Sequence, residues 1–247
     1  MSGESVLLID NSNTRTKFAF ACNGLLHAAV DVLPTAELSP DAVRRLLDGR
    51  SPRRAIVCSV VPRAAAILAS ALPCPVQSVT ADACAELLRC YPGRATLGAD
   101  RIANAAAVAA AGLALPCIAV DLGTACTFDV VDHRDGAPRF VGGAIAPGLQ
   151  AMAASLSGCT ALLPATDTRD LPACPPIGAT TRDALRSGLL YGYTGMLRGI
   201  AHRLAAALDS PPSFVITGGD ALLWPTDLPF AYTIDKSLTF KGMLSIF

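Results

Sequence analysis

Three short stretches of this sequence set acids, hydroxyls and small residues at spacings that suit a phosphorylated ligand. Asp10 is followed by Asn11, Ser12, Asn13, Thr14, Arg15, Thr16 and Lys17; Asp121 by Leu122, Gly123, Thr124, Ala125, Cys126 and Thr127; and Thr217 by Gly218, Gly219 and Asp220. A phosphate taken out of water must have its charge met by donors. Backbone N–H groups at a tight turn of small residues can converge on one oxygen, and hydroxyls add more. Asp10 and Asp121 can each bind a hydrated cation that neutralises such phosphates, and Lys17 adds a positive charge beyond the first turn. Gly218 and Gly219 let backbone lie flat against a planar group such as an adenine. Taken singly, each stretch has a plainer reading: an acid before a turn is a turn or capping residue, paired glycines are a turn, and a lysine on a strand is a solvated charge. Three such turns in one chain, two of them alike, favour phosphate chemistry.

The elements needed to hold these turns are legible around them. Val6–Asp10 and Thr16–Cys22 carry strand patterns on either side of the first turn, a hairpin with a polar tip. Cys117–Asp121 and Cys126–Val131 repeat the plan around the second. Placing Asp10 on Asp121 sets Ser12 opposite Gly123, Asn13 opposite Thr124 and Thr16 opposite Thr127, which suggests a duplicated domain. Ala55–Val61 and Val76–Thr80 read as strands, Ala64–Ala71 and the Ala-rich Asp100–Ala111 as helices. In the second half Phe140–Ala146 and Phe214–Thr217 read as strands and Thr180–Leu208 as the longest helix, with a loop at Pro172–Pro176. Strands alternating with helices indicate an α/β class with partly parallel sheets. The boundary near Gly112–Pro116 predicts an N-terminal domain over 1–113 and a C-terminal domain over 114–247.

Composition narrows the partners. Of 247 residues 52% are hydrophobic and 16% charged, which suits a well-buried globular protein. Lys plus Arg and Asp plus Glu are 20 each, so no net positive charge draws the chain onto nucleic acid or an anionic membrane. The nine cysteines are irregularly spaced with no CxxC pair, the pattern of reduced, mostly buried thiols in a cytoplasmic protein rather than a zinc site or disulfide framework. The N-terminal apolar run stops at Asp10 and lacks signal-peptide layout. The Ala-rich stretch near 102–120 is broken by Gly112 and Pro116, so no membrane span is expected.

Six motifs in order resemble those of type III pantothenate kinases, of the acetate and sugar kinase/Hsp70/actin superfamily. They are Asp10 to Lys17, Leu97-Gly98-Ala99-Asp100-Arg101, Asp121 to Thr127, Gly142-Gly143-Ala144-Ile145-Ala146-Pro147-Gly148, Gly178 to Ala184, and Thr217 to Ala221. The resemblance implies two duplicated actin-like (ribonuclease H-like) domains with a central nucleotide cleft. It implies transfer of the ATP γ-phosphate to the hydroxyl of pantothenate, the first step of coenzyme A synthesis. Asp100 would be the general base, taking the hydroxyl proton. Gly98, Ala99 and Arg101 would hold the substrate with it, Arg101 pairing with a carboxylate. Tyr91 stands where the family has a substrate-contacting tyrosine, and Thr181 matches a later substrate threonine, with Thr180 beside it. The resemblance further implies a monovalent cation, potassium or ammonium, at Asp121, ATP contacts at Thr124 and along 10–17, magnesium near Asp10, and a homodimer.

Two positions depart from the family. Ser12 replaces a glycine; if that turn needs a positive φ, serine costs about 1 kcal/mol or more, whereas its hydroxyl could instead serve the phosphate. Arg94 replaces a proline, and Pro92 follows Tyr91. Two alternatives stay open: a kinase of another hydroxylated small molecule, and a catalytically inactive regulatory homologue. Outside the resemblance, Asp100 could simply favour a helix N-terminus and Arg101 a solvated surface.

Overall fold

The computed structural model describes residues 5–168, 171 and 174–247; of the Pro172–Pro176 loop, residues 172–173 lie outside them. The chain forms two compact units. The first comprises Met1–Leu113, His133–Val141 and Ser237–Phe247, the second Ala114–Asp132 and Gly142–Lys236. The two units thus part at 113/114, and two later segments group with the first.

In the first unit β1 (Ser5–Asn11), β2 (Arg15–Cys22), β3 (Leu25–Pro34), β4 (Arg54–Ser59) and β5 (Val76–Ser78) form a sheet in the order β3-β2-β1-β4-β5. β1 runs antiparallel to β2 and parallel to β4. Successive side chains on a strand point to opposite faces, and this alternation divides the core. Leu7, Ile9, Phe18, Phe20 and Val57 pack with Val43 and Leu47 of α1 (Pro40–Leu47) and Leu68 of α2 (Pro62–Ala71). Leu8, Ile56 and Cys58, equally buried, face the other side, where α3 (Ala99–Ala110) and the later helix 238–246 lie along β4 and β1. Asp10 shares the parity of Leu8, so its carboxylate leaves the sheet on the α3 side. Local signals start the helices: Ser39 Oγ accepts from Ala42 N at 3.2 Å with Pro40 in the first turn of α1, and Gly98 precedes α3.

The second unit repeats the plan. β6 (Cys117–Leu122), β7 (Ala125–Arg134), β8 (Ala137–Pro147), β9 (Ser213–Thr217) and β10 (Tyr232–Ile234) are ordered β10-β9-β6-β7-β8. β6 is antiparallel to β7 and parallel to β9, as β1 is to β2 and β4. α4 (Leu149–Cys159) and α5 (Thr181–Ala206) fall between β8 and β9. Phe128, Phe214, Phe230 and Trp224 form an aromatic cluster beside the sheet. The shared order is the expected duplication in two α/β units.

The last helix, α6 (Leu238–Ile246), packs on α3 within the first unit. Helix α3 is alanine-rich, with Ala99, Ala103, Ala105, Ala106 and Ala107 buried. A Cβ at Gly242 would collide with the Ala103 carbonyl, so the two helices touch backbone to backbone, and Thr239 Oγ1 bonds Asn104 Oδ1 at 2.9 Å.

Helix α3 and strands β6, β7 and β9 lie within a residue or a few of the stretches marked by pattern. The elements β3, α1, α4, β10 and α6 carried no sequence expectation. All nine cysteines are free thiols, five of them buried. Among the described residues no helix is long and apolar enough to cross a membrane.

Candidate active site

The first turn is a hairpin tip held from beneath. Asn11 pairs with Thr16 across the strands, leaving residues 12–15 as the loop. Asn11 and Thr16 are buried at 1% and 0% exposure. Asn11 Nδ2 donates to Thr16 Oγ1 at 2.7 Å, and Asn11 Oδ1 accepts from Ser59 Oγ at 2.6 Å. Thr35 Oγ1 lies 3.0 Å from Thr16 Oγ1 and donates to the Ser12 carbonyl at 2.8 Å. These side chains brace the loop, and its outward positions are Ser12, Asn13, Thr14 and Arg15. Ser12 N donates to Arg15 O at 3.0 Å, and Ser12 Oγ to the same carbonyl at 3.0 Å. Among the described non-glycine residues the positive φ values belong to Asn23, Asp48 and Asp135. Ser12 therefore carries no left-handed strain, and the glycine expected there is not required by the backbone.

Asp10 faces Lys17 across the hairpin, and Lys17 Nζ donates to Asp10 Oδ2 at 3.0 Å. One carboxylate with one oxygen on a lysine fits a hydrated magnesium ion held mainly through water and phosphate oxygens. Among the described residues no group of three metal-ligating side chains occurs.

Asp100 stands in the first turn of α3. Its Oδ1 accepts from Arg101 N at 2.8 Å and sits close above Gly98, where a Cβ would come within 2.6 Å of it. Glycine at 98 leaves room for the carboxylate at the helix start. Burial pushes the Asp100 pKa upward; the Arg101 N–H opposes this, and the nearby Asp10 carboxylate adds to it. Asp10 and Asp100, ninety residues apart, are brought within electrostatic reach in one unit. Ala99, buried, offers only its backbone there.

Arg101 and Tyr91 meet on a residue that spacing did not single out. The Arg101 guanidinium lies 5.6 Å from the ring centroid of Phe140. The Tyr91 ring meets Phe140 edge-on at 4.8 Å. No local pattern marks Phe140, because its partners lie about forty to fifty residues away in sequence.

In the second unit Leu122 pairs with Cys126, so the corresponding loop is 123–125. It is one residue shorter than the first. The residue facing Asp121 is therefore Thr127, the structural counterpart of Lys17; the equal-offset pairing of Thr16 with Thr127 fails because one extra loop residue shifts the cross-strand register. This tip is held by backbone. Gly123 N donates to Ala125 O at 3.2 Å, Gly148 N to Thr124 O at 3.1 Å, and Asp220 N to Leu122 O at 3.0 Å. A Cβ at Gly148 would strike the Gly123 and Thr124 carbonyls, and one at Gly218, whose φ is +94°, the Leu122 carbonyl and Asp121 carboxylate. Thr124 projects from the tip, exposed. Gly219 is exposed with open space above it.

Thr180 and Thr181 part company. Thr180 Oγ1 caps α5, accepting from Asp183 N at 3.2 Å and donating to Asp183 Oδ2 at 2.7 Å. Thr181 lines a cavity of about 380 Å³ between α4 and α5, with Met152, Leu156, Leu185 and Leu189. Gly178 lies against the Ala184 backbone, which accounts for the small residues of that motif.

The sequence profile described as type III pantothenate kinase matches residues 6–203. A type III pantothenate kinase of Akkermansia muciniphila is 40% identical over 237 residues, 96% of each chain. One of Methylacidiphilum infernorum is 33% identical over 240 residues, covering 96% of this chain and 86% of that one. Among solved structures, the ethanolamine utilization protein EutJ of Carboxydothermus hydrogenoformans superposes with a TM-score of 0.57 at 14% identity, over 98% of this chain and 88% of that one, a likeness of fold. With the motifs, the duplicated sheets and these relatives in agreement, the chain belongs to the type III pantothenate kinase family.

Proposed function

We propose that the chain transfers the γ-phosphate of ATP to the hydroxyl of pantothenate, giving 4'-phosphopantothenate at the head of coenzyme A synthesis. The observation that carries this is the partly buried Asp100 carboxylate, held at the start of α3 within electrostatic reach of Asp10, which pairs with Lys17. A base with a raised pKa is a better proton acceptor than an ordinary carboxylate. Asp100 takes the proton as the hydroxyl attacks phosphorus. Arg101 pairs with the substrate carboxylate, and Tyr91 and Gly98 form the adjoining wall. Lys17, the outward residues 12–15 and Thr124 serve the phosphates, and Gly218 with Gly219 leaves room for the adenine. When bound, magnesium at Asp10 lowers the charge repelling the incoming oxygen. We assign a potassium or ammonium ion to Asp121, the acid that opens the second phosphate-type turn.

A homodimer is part of the proposal. Gly188, Gly192, Gly195 and Gly199 share one face of α5 by spacing, and a Cβ on any of them would meet nothing. Leu156, Leu162 and Ile177 are exposed apolar side chains in the same unit. A second copy would cover them, with Thr181 serving the substrate at that interface. The enzyme is placed in the cytoplasm with its nucleotide. We keep an N-terminal actin-like domain over 1–113 and a C-terminal one over 114–247, with the segments 133–141 and 237–247 packing into the first.

The test is ADP release with pantothenate and a panel of hydroxylated compounds, with and without potassium, on the unaltered protein and on Asp100→Asn. The variant is expected to lose about 10²- to 10⁴-fold in kcat while still binding ATP. The folded pKa of Asp100 is raised, so ionisation is disfavoured by folding at neutral pH. That penalty disappears as pH falls through the raised pKa, and Asn should remove it, raising Tm. For the same reason the acid limb of kcat/KM should lie above the ordinary carboxylate value of 3.8. Turnover of another hydroxyl compound alone would replace pantothenate as substrate; no turnover of any would favour the inactive regulatory homologue.

A further inference from the structure

The acceptor wall is built on a ring from elsewhere in the chain. Phe140 sits on β8 in the segment 133–141 that groups with the first unit, and it is fully buried. Its backbone N donates to Leu87 O at 2.9 Å, fixing the strand against the segment that leads to Tyr91. Its ring takes the Arg101 guanidinium at 5.6 Å and the Tyr91 ring edge at 4.8 Å, with the two aromatic planes at 89°. A Cβ at Gly93 would come within 3.0–3.1 Å of the same tyrosine ring. Tyr91 thus packs against the buried Phe140 ring and closely over Gly93. Arg139, just before Phe140, is tied to Glu86 at 3.3 Å, a second anchor of β8 to the same segment.

We infer that Phe140 is a positioning residue for the acceptor substrate: its ring holds the Arg101 guanidinium and the Tyr91 ring in the relative placement that selects an anionic over a neutral acceptor. This rests on the pantothenate kinase reading and deepens it. Arg101 alone is a long side chain with many rotamers. A guanidinium settled on an aromatic face has fewer of them to lose when a carboxylate arrives, and its planar fork stays presented edge-on. Phe140 is fully buried behind Arg101 and Tyr91, so its loss should act on acceptor recognition and leave the nucleotide side alone.

The experiment compares pantothenate with its uncharged alcohol analogue, in which CH₂OH replaces the carboxylate, as acceptors for the unaltered protein, Phe140→Leu and Phe140→Tyr. Leucine keeps the site apolar but removes the aromatic face. The expected result is a KM for pantothenate raised about tenfold, the change that ~1.4 kcal/mol makes. The preference for pantothenate over the neutral analogue should shrink by a similar factor, with KM for ATP unchanged, and Phe140→Tyr should restore the preference. A purely structural role for Phe140 would lower activity on both acceptors alike and leave their ratio intact; that result overturns the inference. Where Phe140→Leu does not fold, Gly93→Ala tests the same stack by pressing on Tyr91, and an unchanged KM for pantothenate there overturns it too. Failure of the unaltered protein to phosphorylate pantothenate would overturn the underlying reading and the inference together. Normal turnover with unchanged selectivity in the variants would remove the inference alone.

Discussion

The two hairpin tips descend from one plan and are held in opposite ways. The tip after Asp10 is braced by side chains: the Asn11 amide, the Thr16, Thr35 and Ser59 hydroxyls, and a lysine opposite the acid. The tip after Asp121 is braced by backbone, with Gly123, Gly148 and Gly218 letting neighbouring chains approach to where a Cβ would not fit. One loop residue makes the difference at the acid itself. It places a cation opposite Asp10 and a hydroxyl opposite Asp121. Two copies of one supersecondary unit thus set different side chains opposite their acids without altering the strand order.

The sharpest break of this contrast is Gly218→Ala. The new methyl meets the Leu122 carbonyl and the Asp121 carboxylate, on a residue whose φ is +94°. Backbone strain alone costs about 1–3 kcal/mol, and the collision adds to it. Denaturant unfolding should show a loss of ~3 kcal/mol or more together with weakened ATP binding; wild-type stability would show that the second tip is not backbone-limited. Next in size is Asn11→Ala. It strips Thr16 and Ser59 of a shared buried partner and should cost about 1–3 kcal/mol, read as a lower denaturation midpoint at unchanged slope. A loss below about 0.5 kcal/mol would mean the side-chain brace is incidental. The smallest effect belongs to Ser12→Gly, which brings the first tip closer to the second. Because Ser12 is unstrained, restoring glycine should change stability by no more than about 0.5–1 kcal/mol, toward destabilisation through the freer unfolded chain. ATP affinity should hold; a large gain in affinity would show that the serine crowds the phosphate.

What could be seen in the sequence was local. Apolar runs ending in Asp10 and Asp121 marked β1 and β6, and the alanine run marked α3, because each signal lies within a few consecutive residues. The acid at 100 was visible only through its motif; the reason it sits beside Asp10 is strand parity plus the packing of α3 on that face of the sheet. Register was not visible. Equal offsets set Thr16 against Thr127, whereas the structure sets Lys17 there, since cross-strand partners depend on loop length. Nor was Phe140, whose value comes from Leu87, Tyr91 and Arg101. The exposed strand β3 was missed because its outward residues break the alternation, with Val30 and Val32 exposed. Thr180 and Thr181 are adjacent and alike; the helix start alone separates the capping one from the one lining the cavity.

The helix that closes over α3 spans Leu238–Ile246, while β1, which it also touches, spans Ser5–Asn11. The alanine face beneath Asp100 is therefore covered by a segment far from it in sequence. Contacts between segments so far apart are slow to form, and an apolar face left open in the meantime invites association with other chains. The first unit is thus complete only when a segment distant in sequence returns to cover it.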